Sequence, residues 1–415
     1  MRECTILDNG IRIITETMPS FRSVTLGVWV NAGSRHDPPK RQGIAHFLEH
    51  MMFKGTQKRS AIQIAKEIDA LGGIINAQTS KEYTLYYTKV VDEHLDKAAD
   101  ILFDVFLNRT IDSEEMEREK QVVFQEISMN QDTPDDYIND LFSRAVFPSN
   151  ALGRPILGDQ DSVGAMQQQD LFDFISSAYD PSKIVIVATG NCEHKRIVSL
   201  VSCGFEKIKA IPPGPRDETP GYIGGIKAIH EKDLEQEHII VGTKGMAISD
   251  RNRWTYILLN NILGGSMSSM LFQEIREKRG LVYSVYSYLL SHSDCGCLAV
   301  YAGTGPDNTN KTLELISEQM HRLTRGDTGG IPLEDVKSQI KGNLLLSRES
   351  TESRMSFHGR NELYFNREVT LDEILSKIQA VTLDDIVETA ESIFSPGLLN
   401  LVTLGSLARD KVAWG

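Results

Sequence analysis

The chain has 415 residues, 40% of them hydrophobic and 24% charged, which fits a folded protein long enough for two domains and excludes a disordered or membrane-spanning class. A net charge of -13 with no block of Lys or Arg excludes an electrostatic footprint for nucleic acid and favours cationic partners. The five cysteines, Cys4, Cys192, Cys203, Cys295 and Cys297, form no C-x-x-C pair, so free thiols in a reducing compartment are expected.

From the N-terminus, "MRECTILDNGIRIITETMP" has neither the apolar core of a signal peptide nor an Arg/Ser-rich presequence, and a cytoplasmic location without a membrane is expected. "SVTLGVWVNAG", residues 23 to 33, reads as an alternating strand. "GIAHFLEHMMFKGT", residues 43 to 56, then places Ile44, Phe47, Leu48 and Met51 at the spacing of a helical core stripe. His46, Glu49 and His50 share a separate polar face of that helix. Two imidazoles at i, i+4 reach one tetrahedral Zn(II) at roughly 2.0 to 2.1 Å, and the glutamate between them is free to act on water. The order H-x-x-E-H is the inverted metalloprotease helix motif.

A catalytic zinc takes three protein ligands and keeps one open position, so a further segment is needed. "SEEMEREKQVVFQEISMNQDTPDD", residues 113 to 136, is a predicted helix with Met116, Val123 and Ile127 as its buried edge. Glu119 and Glu126, seven apart, share a face beside that edge, and spacing alone does not choose between them. Glu114, Glu115 and Glu117 read as solvated first-turn charges.

"AIPPGPRDETPGYIGG", residues 210 to 225, divides the chain into a domain 1–212, a linker 213–224 and a domain 225–415. The halves echo each other. "KEIDALGGIINAQTS" lies over "QEIREKRGLVYSVYS", and "SAYDPSKIVIVATGN" over "SIFSPGLLNLVTLGS". Each half runs from an alternating strand through helices and an aromatic strand ("YTLYYTKV"; "LVYSVYSYL") to a final strand, which predicts a duplicated α+β domain rather than a doubly wound parallel sheet. Opposite His46 to His50 the second half reads "RWTYI", without a metal ligand, so one metal site per chain is expected.

His46-x-x-Glu49-His50, followed 76 positions after His50 by Glu126, resembles the pitrilysin-type zinc peptidases, and most closely their processing-peptidase branch. "GSRHD", "GGIINAQTSKEYT" and "IREKRGLVYSV" extend the likeness over essentially the full chain. The resemblance implies His46, His50 and Glu126 as zinc ligands, Glu49 as general base and Glu119 in a supporting role. It implies that Arg276 and Tyr283 contact the substrate near the scissile carbonyl, and that Asn76 and Ala77 pair with the peptide backbone. It also implies a mixed sheet flanked by helices in each domain, four of which close a chamber. A homodimer, or a hetero-oligomer with a related subunit, would complete it, with Arg276 and Tyr283 acting in cis or in trans. Short or unfolded peptides, basic ones included, are then the expected substrates. "LGGSMSSM" stands where the non-catalytic processing-peptidase subunit has a long glycine-rich loop. A subunit with a decayed metal site is the rival reading, and the four intact residues speak against it. A zinc enzyme acting on a non-peptide ester or amide is a third.

Overall fold

The computed structural model describes residues 2–211 and 219–414, so residues 213–218 of the expected linker lie outside the described residues. Two compact units emerge: Met1–Met129 with Arg154–Asp217 and Leu345–Glu368, and Asn130–Gly153 with Glu218–Leu344 and Val369–Gly415.

The first unit is built on six strands, β1 (Arg2–Ile6), β2 (Arg12–Thr17), β3 (Ser23–Val30), β4 (Ile74–Thr79), β5 (Thr84–Val91) and β6 (Ile184–Gly190), in the order β1-β2-β6-β3-β5-β4. Only β2 and β6 run parallel; the other neighbours are antiparallel. In the second unit β7 (Lys227–Glu231), β8 (Glu237–Lys244), β9 (Val282–Ser291), β10 (Gly296–Thr304) and β11 (Asn400–Gly405) follow the order β7-β11-β8-β10-β9, with β7 and β11 parallel. Without β1 the two sheets have the same strand order and the same single parallel pair. The duplicated α+β fold expected from the echo is therefore present, as mixed sheets flanked by helices. One pairing differs from the sequence reading. "YTLYYTKV" is β5, whose counterpart is β10, whereas the aromatic run "LVYSVYSYL" is β9, the counterpart of β4. Aromatic alternation marks a half-buried strand of either kind and carries no information on its place in the repeat.

Strand alternation distributes the core of the first unit. Ile13, Val28 and Ile186 face one apolar cluster, while Ile14, Trp29, Val185 and Val187 face another. The first cluster is covered by helices that include α1 (Ile44–Met52), α2 (Ala61–Ala70) and α3 (Leu95–Asn108). The second is covered by a helix from late in the chain, Thr351–Phe365. Trp29 Nε1 lies 3.1 Å from Met355 Sδ, and a Cβ on Gly359 would sit 2.2 Å from the Trp29 ring, so only glycine lets the helix approach. Ion pairs of Arg2 and Arg12 with Glu362, at 3.1 and 3.2 Å, fix its end.

Helix α4 (Ser113–Asp132) is capped by Asp112, whose Oδ1 accepts from the backbone of Glu114 and Glu115 at 2.9 and 3.0 Å. Thr133 and Pro134 interrupt the helix expected to run to 136, since proline cannot continue it, and α5 (Pro134–Val146) begins there. Helix α5 belongs to the second unit, where Phe142 packs over β8 so closely that a Cβ on Gly242 would meet its ring at 2.2 Å. Each half of the sequence thus supplies one helix to the sheet of the other.

Candidate active site

Helix α1 begins at a glycine for a steric reason. Gly43 has φ +86, and a Cβ there would lie 2.5 Å from the Leu157 carbonyl oxygen. Asp37 accepts hydrogen bonds from the backbone N–H groups of Gly43 and Ala45 at 2.7 and 3.2 Å and so satisfies the first turn. Ile44, Phe47, Leu48 and Met51 are buried as their spacing requires. This orientation leaves His46, Glu49 and His50 half-buried on the opposite face.

Helix α4 brings Glu126 to that face. His46 Nε2 and His50 Nε2 are 3.3 Å apart, and the Glu126 Oε2 lies 3.6 and 3.4 Å from them. Two bonds of about 2.1 Å meeting at the tetrahedral angle separate their donors by about 3.4 Å. The donor set, two imidazole nitrogens and a carboxylate within 4.8 Å of one another, therefore fits one tetrahedral divalent cation. Burial, followed by the neighbouring His50, pushes His46 down to about 3, so its ring is neutral at physiological pH, the form a ligand needs. His46 Nδ1 has no partner among the described residues.

His50 is oriented from behind. Its Nδ1 lies 2.8 Å from Glu119 Oε1, whose other oxygen is 2.5 Å from Lys54 Nζ. Burial acts to raise the Glu119 carboxyl, but the hydrogen bonds from His50 and Lys54 outweigh it and hold the group below its usual range. A carboxylate on Nδ1 fixes the tautomer that presents Nε2 to the cation position. For His50, burial is outweighed in turn by Glu119, Glu126 and Glu49, and its pKa is raised. Burial also raises Glu49, against the opposing effect of a hydrogen bond from the Thr79 hydroxyl.

His46, Glu49, His50, Glu119 and Glu126 are thus brought together in the first unit. Asn76 and Ala77 lie on β4, an edge strand packed beside α1, with Asn76 exposed and its Oδ1 accepting from the Ala77 N–H at 2.9 Å. Arg276 and Tyr283 belong to the second unit, where the guanidinium lies 5.7 Å from the Tyr283 ring centroid and 4.7 Å from that of Phe272. Arg276 sits in a π-helical turn, Phe272–Glu277, and Tyr283 is 78% exposed. Asp37, Lys54 and Thr79 also build the site, although the sequence reading did not single them out. For Thr79 the period-2 pattern held the signal, because Ile75, Ala77 and Thr79 share the strand face turned towards α1.

The family model described as insulinase (peptidase family M16) matches residues 12–160, and that of the peptidase M16 inactive domain matches residues 165–342. The uncharacterized zinc protease YmxG of Bacillus subtilis is 43% identical over 387 residues, 93% of this chain and 94% of that one. An uncharacterized zinc protease of Streptomyces coelicolor is 40% identical over 397 residues, 94% of this chain and 86% of that one. In fold, the chain is similar to a protease from Helicobacter pylori, with a TM-score of 0.90 at 23% identity over 98% of this chain and 99% of that one. The group His46, His50 and Glu126, which could hold a metal ion, falls within the segment matched by the first family model. The chain belongs to peptidase family M16 and is a metallopeptidase.

Proposed function

We propose that the chain is a zinc endopeptidase that cuts short or unfolded peptides, basic and presequence-like segments among them. The reading is carried by the convergence of His46, His50 and Glu126 beside Glu49. Zinc, the metal in the names of the relatives, is the cation this donor set holds, one per chain, because the second repeat has Arg253–Ile257 in place of the ligands.

Zinc bound there supplies a Lewis acid and a water whose pKa falls towards ~7. Glu49 acts as general base: it takes the proton of the attacking water and passes it to the leaving amine. Glu119 keeps the His50 ring in place, and its pair with Lys54 keeps Glu119 ionised. Asn76 and Ala77, on the edge of the first sheet, pair with the peptide backbone in a mode largely indifferent to sequence. Arg276 and Tyr283 bind near the scissile carbonyl, from the same chain or from a partner. Apart from the helix that each half supplies to the sheet of the other, residues 1–212 are then the catalytic domain and 225–415 the substrate-contacting one.

A homodimer completes the peptidase chamber, and the net charge of -13 favours basic substrates. The five free cysteines suit the cytoplasm. The test is the Glu49→Gln protein. It should hold zinc, bind peptides from a mixed library and leave them uncut, while the wild type gives defined products by mass spectrometry and a dimeric mass by light scattering. Cleavage by Glu49→Gln at the wild-type rate would refute the assignment.

A further inference from the structure

We propose that Thr79 is a positioning residue that fixes the Glu49 carboxylate and ties it to the edge strand of the first sheet, so that the strand receiving the peptide also sets the general base. The inference rests on the reading of Glu49 as that base.

Among the described residues strand β4 is the last in its sheet and is paired on one side only, with β5. Its residues alternate strictly. Ile74, Asn76 and Gln78 are exposed, while Ile75, Ala77 and Thr79 are half-buried on the face beside α1. Ile75 and Ala77 fill their places on that face with apolar groups packed against the core. Thr79 fills the third place with a hydroxyl, and that hydroxyl donates to Glu49 Oε2. The residue supporting the donor is itself held. Thr79 pairs with Thr84 across the hairpin, and the Thr84 hydroxyl donates to the Ala32 carbonyl at 2.8 Å, anchoring β5 beside β3.

A glutamate side chain has three rotatable bonds, and a base that samples many rotamers spends only part of its time facing the reacting water. A threonine is stiff at χ1, and one on a paired strand offers its hydroxyl in a defined direction. With Oε2 held by the Thr79 hydroxyl, fewer orientations of the Glu49 carboxylate remain open. Because the same short strand carries Asn76 and Ala77, a peptide paired along it is registered against the carboxylate that acts on its scissile bond. Core packing alone explains Ile75 and Ala77. It does not explain a hydroxyl at position 79, where a valine would have the same shape.

The experiment compares Thr79→Val and Thr79→Ser with the wild type, as full-length zinc-loaded proteins. A fluorogenic peptide gives kcat and KM separately, and competition with a chromophoric chelator gives zinc affinity. Thr79→Val should lower kcat roughly 10- to 100-fold, the range carried by one hydrogen bond to a charged group, with KM and zinc affinity unchanged. Thr79→Ser, which restores the donor, should recover most of that rate. In a Glu49→Gln background, Thr79→Val should change the residual rate no further. The proposal is overturned if Thr79→Val turns over like the wild type, if it loses zinc affinity in step with rate, or if Thr79→Ser is no better than Thr79→Val. An active Glu49→Gln protein would overturn the reading of the base itself, whereas an inactive one beside an unaffected Thr79→Val overturns only the positioning role.

Discussion

Removing Glu119 probes the site without touching a proposed ligand. In Glu119→Ala the His50 Nδ1 loses its acceptor at 2.8 Å, and Lys54 Nζ loses the carboxylate oxygen at 2.5 Å. No second acceptor for His50 Nδ1 is present among the described residues, so the ring is free to turn its Nε2 away from Glu126. Partners behind metal-binding histidines typically carry 10- to 100-fold in metal affinity, which corresponds to about 1.4–2.7 kcal/mol. The upper end is expected here, since Glu119 is only 5% exposed and its bond to His50 is strengthened by charge. Glu119→Gln keeps an acceptor but not the charge and should lose about 10-fold. Glu117→Ala, two residues earlier on the same helix, removes only an exposed partner of Lys120 and serves as the control. Zinc competition against a chromophoric chelator at neutral pH measures all three. A Glu119→Ala protein that holds zinc as tightly as Glu117→Ala would refute the orienting role.

Gly43→Ala should destabilise the first unit by about 2–3 kcal/mol, seen as a lower melting temperature, because it combines a left-handed backbone with a contact at 2.5 Å to Leu157. Trp29→Ala should cost about 3–5 kcal/mol in denaturant unfolding by emptying the core under helix Thr351–Phe365. Glu16 bonds to His358 at 2.9 Å beside Arg348 and Arg354, and these partners overcome burial to bring its pKa down to about 2. A folded pKa below the usual 4.5 means the contribution is present above pH 4.5 and lost as pH falls towards 2. With solvent screening it amounts to about 2 kcal/mol, so Glu16→Gln should unfold more easily at neutral pH and lose less stability on acidification. Chelation should abolish peptide cleavage, and added zinc should restore it.

The parts of the fold that were legible in the sequence are those fixed by local periodicity. The stripe Ile44, Phe47, Leu48 and Met51 predicts both the helix and the face on which His46, Glu49 and His50 stand, because one helix must bury one side. The duplication was legible in two echoing segments, "KEIDALGGIINAQTS" over "QEIREKRGLVYSVYS" and "SAYDPSKIVIVATGN" over "SIFSPGLLNLVTLGS", the first of which pairs β4 with β9 as the sheets do. What spacing could not deliver were contacts made by distant segments. Nothing local in "PDDYINDLFSRAV" or "TESRMSFHGRNELYF" states that each helix covers the sheet of the other half; glycines at 242 and 359 permit it, and their role is visible only against Phe142 and Trp29. Likewise Glu119 and Glu126 are equivalent by spacing; the family resemblance told them apart, and their placement puts Glu119 at His50 Nδ1 and Glu126 facing both Nε2 atoms. Lys54, Asp37 and Thr79 are single polar residues inside quoted motifs, and their contacts, not their types, mark them.

The central claim is that one cation binds where the three side chains meet. Crystals of the zinc-loaded protein, with anomalous differences measured on either side of the zinc absorption edge, test it most directly. The account predicts one peak per chain, roughly 2.0–2.2 Å from His46 Nε2, His50 Nε2 and a Glu126 oxygen. A peak elsewhere, or Glu126 out of bonding reach of a cation held by the histidines, would contradict it.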